Sequence, residues 1–356
     1  MSKAATCLII PKTAGEETIA IAKELDILNT SLLIIRDERN ICVPLTRPPE
    51  EAELAKLKSH VPDVRLETAV FIQKQPTART LIEALDGKLP SHLLASVPQA
   101  LDVVGDIAIV EIPLELKQHE AAVGEAILKL HKNVRTVLAK ASSISGTFRL
   151  REFTFIAGEN KTRTIHREFG CQYHIDVTKA YFSPRLSHEH MRVASLVQAS
   201  EVVVDLFAGV GPFSVLIGKR NPGAKVYAVD INRDAVELLK INVRINRVEN
   251  SVFPVLADAR QIAASTLKGS ADRVIMNLPE TAIDFVNAAC ETLKPEGGII
   301  HYYGFVRAPD TIDAEQKRFV DAVEQAGRKV EAFQCAKSVR ETAPYESQVV
   351  LDAKVS

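Results

Sequence analysis

The stretch from Glu201 to Phe213, EVVVDLFAGVGPF, limits what this chain can fold into more than any other. Val202 to Val204 are β-branched and carry no charge until Asp205, the pattern of a short buried strand. The chain then turns through Ala208-Gly209-Val210-Gly211, and Pro212 stands where a helix can begin. Glycines in such a turn let the backbone pass close beneath a ligand, and the helix start adds partial positive charge. A dinucleotide fold would place three glycines as G-x-G-x-x-G to cradle a pyrophosphate. Here only Gly209 and Gly211 are present, and an acid, Asp205, precedes the first of them. An acid there repels phosphate and suits an ammonium group.

S-adenosylmethionine carries such an ammonium and no phosphate, and the following residues agree with it. Lys225 to Val229 reads as a second strand ending in Asp230, with Asn232 just beyond. An acid at the end of the second strand is where ribose hydroxyls are held. Asp258 follows a third strand, Val252 to Leu256, placed to meet an adenine amine. A fourth strand, Arg273 to Met276, runs into Asn277-Leu278-Pro279. Strand-end acids also cap helices, but this ordered series resembles the class I S-adenosylmethionine-dependent methyltransferases.

With 356 residues, nearly half of them hydrophobic, the chain can hold two or three domains. It has no apolar run of about eighteen residues and no basic-then-apolar start, so neither a membrane span nor a signal peptide is expected. The five cysteines are far apart and never in C-x-x-C, which points to reduced thiols in a cytoplasmic protein. The formal net charge is −1, so a nucleic-acid binder must concentrate positive charge locally.

Such a concentration exists. Between His131 and Val193 there are eleven arginines and lysines against five acids. Phe148, Phe153, Phe155, Phe169, Tyr173, Tyr181 and Phe182 are interleaved with them. This composition suits a polyanion whose bases can stack, although alternation in Thr162–His166 and Gln172–Val177 also marks strands with aromatics in a core.

The expected architecture is α/β. Residues 1–60 read as a small β-α-β-β N-terminal domain, with strands at 6–10, 32–36 and 41–45 and a helix at 15–25. Residues 61–98 read as a polar, loosely helical connector. Residues 99–190 read as a basic α+β RNA-binding domain. It has a strand pair turning near Gly105-Asp106 and a helix at 117–130 with Ala122, Ile127 and Leu130 inward. Residues 191–356 read as a Rossmann-like, doubly wound donor-binding domain closed by a hairpin of 329–335 and 347–353.

The Asn277-Leu278-Pro279 loop is informative about chemistry. Enzymes acting on exocyclic amines commonly carry Asn or Asp, two prolines and an aromatic; here Leu278 and Glu280 replace the first proline and the aromatic. No cysteine nucleophile occurs in this loop, so 5-methylcytosine chemistry is not indicated. A ring nitrogen that must lose a proton remains, and it needs a general base. The candidates lie in the stretch Tyr181–His190, YFSPRLSHEH. Glu189 falls in a helix's first turn, where a glutamate also serves as a dipole partner. His188 and His190 are alternatives.

The YFSPRLSHEH, NLP, DLFAGVG and FRLRE stretches, with the N-terminal module, resemble the archaeal and eukaryotic tRNA (guanine-N1)-methyltransferases that modify guanosine 37. The resemblance implies that Glu189 takes the N1 proton, Arg149 offsets charge on the guanine oxygen, Asn277 holds the guanine and Tyr181 orders the site. It also implies that Asp205, Phe207, Gly209, Gly211, Asp230, Asn232, Asp258 and Asn277 surround S-adenosylmethionine. The N-terminal module would read the tRNA elbow, and a monomer with no protein partner is expected. His190 stands where the family usually has arginine, and Glu280 where it often has a basic residue. Wybutosine-pathway enzymes share the scaffold, transferring an aminocarboxypropyl group or methylating the tricyclic intermediate, but usually lack the N-terminal module. A non-enzymatic RNA binder on the same scaffold is a third reading.

Overall fold

The computed structural model describes residues 2–74, 78–142, 146 and 150–356. The chain divides between Ala78 and Arg79 into two units. The first contains β1 (Ser2–Pro11), α1 (Gly15–Glu24), β2 (Ile35–Arg36), β3 (Asn40–Pro44), α2 (Glu51–His60) and β4 (Arg65–Ile72). The sheet runs β2-β3-β1-β4, antiparallel throughout. Leu8, Ile10 and Val43 meet Ile21, Ala22 and Leu57 of the helices in its core.

Two expectations change here. β4 lies in the stretch read as connector and pairs with β1 along its length. Its sequence RLETAVFI carries apolar residues at Leu66, Val70, Phe71 and Ile72, a strand signal that the reading of 61–98 as a polar connector missed. Leu66, Val70 and Ile72 are exposed on this edge strand and Phe71 is buried. The strand expected at 32–36 shrinks to two residues, because Leu32 instead bridges Gln73.

The second unit opens with α3 (Leu81–Leu85), β5 (Leu101–Val104), β6 (Ile107–Val110), α4 (Glu120–Leu130), β7 (Thr136–Lys140) and β8 (Phe153–Gly158). These strands form a sheet in the order β5-β6-β7-β8, with β5 and β6 turning at Gly105-Asp106 as expected. The inward face of α4 is Val123, Ala126 and Ile127, with Ala122 packed against its edge. Of the expected inward residues Ile127 is buried as expected and Leu130 is only half-buried, and the helix proper begins at Glu120, after a 3₁₀ turn. β9 (Arg163–Glu168) and β10 (Cys171–Asp176) make a separate two-stranded ladder.

The remainder comprises α5 (Ser187–Leu196), β11 (Val202–Asp205), α6 (Pro212–Arg220), β12 (Lys225–Asp230), α7 (Arg233–Ile245) and β13 (Val252–Leu256). It continues with α8 (Ala259–Ala263), β14 (Arg273–Met276), α9 (Val286–Thr292), β15 (Gly298–Arg307), α10 (Ile312–Gln325), β16 (Val330–Ala343) and β17 (Glu346–Val355). The sheet order is β13-β12-β11-β14-β15-β17-β16, parallel through β15 and antiparallel at the final hairpin. Val203 and Val204 of β11 enter cores on opposite faces of the sheet, which is why that strand has no polar alternation. The order reverses between β11 and β14, and a crevice at the carboxyl ends there is where such sheets bind ligands. The β9–β10 ladder is tied to α7. Asn242 Oδ1 accepts from the His174 amide at 2.7 Å and Asn246 Oδ1 from the Gln172 amide at 2.9 Å.

Candidate active site

The loop after β11 forms one wall of a cavity at that crevice. Gly211 caps α6 at φ 89°, and a Cβ there would lie 2.3 Å from Leu239 Cδ1. Gly209, at φ 55°, faces open space instead: the nearest atom to a Cβ would be the Tyr181 carbonyl oxygen at 3.7 Å. Its amide donates to Asp230 Oδ2 at 2.7 Å, while the Asn232 amide donates to Asp230 Oδ1 at 2.8 Å. Each oxygen keeps a lone pair for a ribose hydroxyl. Burial pushes the Asp230 carboxyl pKa up, against the pull of these amides.

Asn232 and Asp258 also line the cavity, and each caps a helix: Asn232 accepts from Asp234 and Ala235, Asp258 from Arg260 and Gln261. Phe207 meets Phe285 edge-on at 5.0 Å, and the Arg260 guanidinium lies 3.8 Å over the Phe285 ring. Ile231 and Ala257 complete apolar walls beside these acids. Carboxylates facing apolar walls, with a glycine open to the space between, fit a nucleoside without phosphates.

Asp205 is placed differently from expectation. It does not line the cavity; it is fully buried behind the wall, where Oδ2 accepts from Ser214 Oγ at 2.7 Å and Oδ1 has no partner among the described residues. Burial pushes its pKa up to about 7. Its bond to Ser214 ties the end of β11 to α6.

A second cavity adjoins the first, and Tyr181, Phe182, Ser183, Phe305 and Arg340 line both. Lys140, Arg151, Arg185 and Arg307 face it, and the Arg151 Nε is buried with no partner among the described residues. Much of the basic excess read from the sequence is answered by acids from elsewhere in the chain. Arg185 bonds Asp102 at 2.5 Å, Lys161 bonds Asp106 at 2.7 Å and Lys140 bonds Glu111 at 3.1 Å. The aromatics divide: Tyr173 is wholly buried and donates to the Pro212 carbonyl, whereas Phe155, Phe169 and Tyr181 are exposed.

Asn277 lines the first cavity, and its Oδ1 accepts from Gln348 Nε2 at 3.4 Å. Glu189 lines neither cavity. Its carboxylate is buried between Arg192 at 2.8 Å, Tyr303 Oη at 3.0 Å and Lys337 Nζ at 3.1 Å. Burial opposes its charge, yet Arg192 and Lys337 hold its pKa below the ordinary value. Its neighbour His190 does line the cavity, with Nδ1 at 2.7 Å from Glu168 Oε1. Burial opposes ionisation of Glu168 too, but the bonds with His166 and His190 outweigh it and bring the pKa down to about 2. Arg149 and Phe148 lie outside the described residues. The sequence reading did not include Phe285, Arg340 or Gln348. The last two face each other across the final hairpin, a relation no linear spacing announces.

A doubly wound sheet closed by an antiparallel hairpin, with acids at the ends of β12 and β13 around a phosphate-free nucleoside cavity, defines a class I methyltransferase that uses S-adenosylmethionine. Profiles described as the TRM5/TYW2 methyltransferase domain, the TYW2 N-terminal domain and the tRNA methyltransferase 5 N-terminal domain match residues 164–332, 81–162 and 7–53. The chain is 38% identical over 347 residues to the tRNA (guanine(37)-N(1))-methyltransferase Trm5b of Pyrococcus abyssi, covering 98% of each chain. A solved complex of aTrm5 with tRNALeu superposes with a TM-score of 0.78 at 34% identity, over 98% of this chain and 99% of that one. The tRNA(Phe) (4-demethylwyosine(37)-C(7)) aminocarboxypropyltransferase of Methanocaldococcus jannaschii is 34% identical over 251 residues, 70% of this chain and 96% of its own. The chain belongs to the tRNA (guanine(37)-N1)-methyltransferase family. Among the described residues, no helix is long and apolar enough to cross a membrane.

Proposed function

We propose that this enzyme transfers a methyl group from S-adenosylmethionine to N1 of guanosine 37 in tRNA. The observation that carries the reading is the pair of adjoining cavities. One presents Asp230, Asp258 and Gly209 to a nucleoside donor. The other mixes arginines and a lysine with Asp102, Glu280, Glu341 and Glu346 and holds the Arg151 Nε, buried with no partner among the described residues. They share the wall Tyr181-Phe182-Ser183. A guanosine turned out of its loop would enter the second cavity and meet the donor at that wall. The match along nearly the whole chain to an N1-methyltransferase, against 70% for the aminocarboxypropyltransferase, favours methyl transfer.

When bound, S-adenosylmethionine supplies an electrophilic methyl group. Asp230 would accept the ribose hydroxyls, Asp258 the adenine amine, and Gly209 would let the backbone approach closely. Asn277 would hold the guanine and Tyr181 would bound its ring. Glu189, ionised at neutral pH, would accept the N1 proton once its contact with Lys337 opens on tRNA binding. Arg149 would offset charge on the guanine oxygen.

The test is a methylation assay with labelled S-adenosylmethionine and unmodified tRNA transcripts bearing guanosine or adenosine at position 37, followed by nucleoside analysis. The expected product is 1-methylguanosine, absent from the adenosine transcript. A carboxypropyl adduct on tRNA carrying the tricyclic base, with no methyl transfer to guanosine, would overturn the reading.

A further inference from the structure

The register of the last hairpin sets Arg340 directly opposite Gln348, so their side chains share one face, and both line the donor cavity. Arg340 Nη1 donates to Ser183 Oγ at 3.0 Å and its Nε donates to Gln348 Oε1 at 2.9 Å. Gln348, 1% exposed, donates from Nε2 to Asn277 Oδ1.

The direction of this chain follows from chemistry. A guanidinium has donors and no acceptor, so the atom of Gln348 that meets Arg340 must be its oxygen. The amide nitrogen of Gln348 must then face Asn277, and it can bond only the oxygen there. What Asn277 has left is Nδ2, a donor with no partner among the described residues, on a side chain that lines the cavity.

We propose that Arg340 and Gln348 are positioning residues that fix the Asn277 amide in one orientation, nitrogen toward the acceptor base, and so select a purine with a 6-oxo group. Guanine offers an oxygen at that edge; adenine offers an amino group, which would meet a donor with a donor. The same guanidinium holds Ser183 on the wall shared by both cavities, so one residue sets both sides of the entry to the donor. The inference rests on the guanosine reading above.

The experiment compares wild type, Gln348→Glu, Gln348→Leu and Arg340→Lys in the full chain. It measures kcat and KM on the guanosine transcript, S-adenosylmethionine binding by calorimetry, and the melting temperature. Glutamate keeps the bond to Arg340 but can only accept, so it draws Nδ2 of Asn277 toward itself and turns Oδ1 to the base. Leucine merely releases the amide. Gln348→Glu is therefore expected to lose about 100-fold in kcat and Gln348→Leu about tenfold, with donor affinity within about threefold of wild type. Arg340→Lys, which cannot serve Ser183 and Gln348 in the same geometry, should fall between them. A Gln348→Glu enzyme within about threefold of wild type, a larger loss in Gln348→Leu than in Gln348→Glu, or a loss carried by donor affinity would each overturn the proposal. If wild type itself makes no 1-methylguanosine, the substrate reading fails first, and the base-selecting role falls with it.

Discussion

Burial raises the pKa of both Asp205 and Glu189, and their neighbours decide which stays charged. Asp205 has one hydroxyl bonded to it and an Oδ1 with no partner among the described residues, and Asp230 nearby adds repulsion, so its pKa climbs to about 7. Glu189 has Arg192 and Lys337, so its pKa falls below the ordinary value. A base works in its deprotonated form, so the acid limb of kcat/KM marks its pKa. Replacing Lys337 by methionine removes one of the two cations and should move that limb to higher pH, while Glu189→Gln should depress turnover far more than donor binding. A pH–rate profile of Lys337→Met that superposes on wild type would remove Glu189 from the proton-accepting role. At this scale the sequence showed which residues cluster but not where their side chains end. Asp230, Asn232, Asp258 and Asn277 reach the cavity because each sits at or just past the carboxyl end of a parallel strand. Asp205 sits at such an end too and turns inward, since Ser214 on α6 offers it a hydroxyl. Whether a strand-end acid faces ligand or core depends on the helix packed behind it.

The elements were legible where periodicity and punctuation agreed. β11 to β14 announced themselves as short β-branched runs ending in an acid or amide, and Pro212 marked the start of α6. β4 was missed although Leu66, Val70 and Ile72 alternate along it, because the polar stretch around it read as a connector, and the joining of Arg340 to Gln348 needed the register of a hairpin. The two glycines of the turn after β11 give an element-scale test, since they serve different ends. Gly211→Ala would combine a positive φ with a Cβ driven into Leu239 and Val215, and should cost about 2–5 kcal/mol of stability. Gly209→Ala meets no atom closer than 3.7 Å, so it should cost only the about 1–2 kcal/mol of its own positive φ while projecting a methyl group into the donor cavity. Thermal unfolding should separate them in one order and S-adenosylmethionine calorimetry in the other. If Gly209→Ala bound the donor as wild type does, the placement of the nucleoside against this turn would be wrong.

At the scale of the whole chain, the charge argument from sequence needed the fold to correct it. The basic run between His131 and Val193 spends Arg185, Lys161, Lys140 and Lys179 on acids outside or at the border of that run, so local excess overstates the free positive charge. Residues 7–53 match the tRNA methyltransferase 5 N-terminal domain, and with ten basic against eleven acidic residues in 1–78 any contribution of that unit to tRNA binding must come from shape and placed contacts rather than net charge. Each unit owns its core: Leu8, Ile10, Ile21 and Leu57 pack within the first, and the other main clusters lie wholly beyond Ala78. Residues 79–356 alone should therefore fold and bind S-adenosylmethionine as the full chain does. If the N-terminal unit grips a distant part of the tRNA, two weak contacts on one ligand gain from their linkage, and removing one should lower kcat/KM on whole tRNA by at least about tenfold. An anticodon stem-loop has no elbow to offer, so on it the full chain and the 79–356 fragment should perform alike. Equal losses on whole tRNA and stem-loop would place the defect in the catalytic unit itself, and no loss on whole tRNA would deprive the N-terminal unit of its reading role.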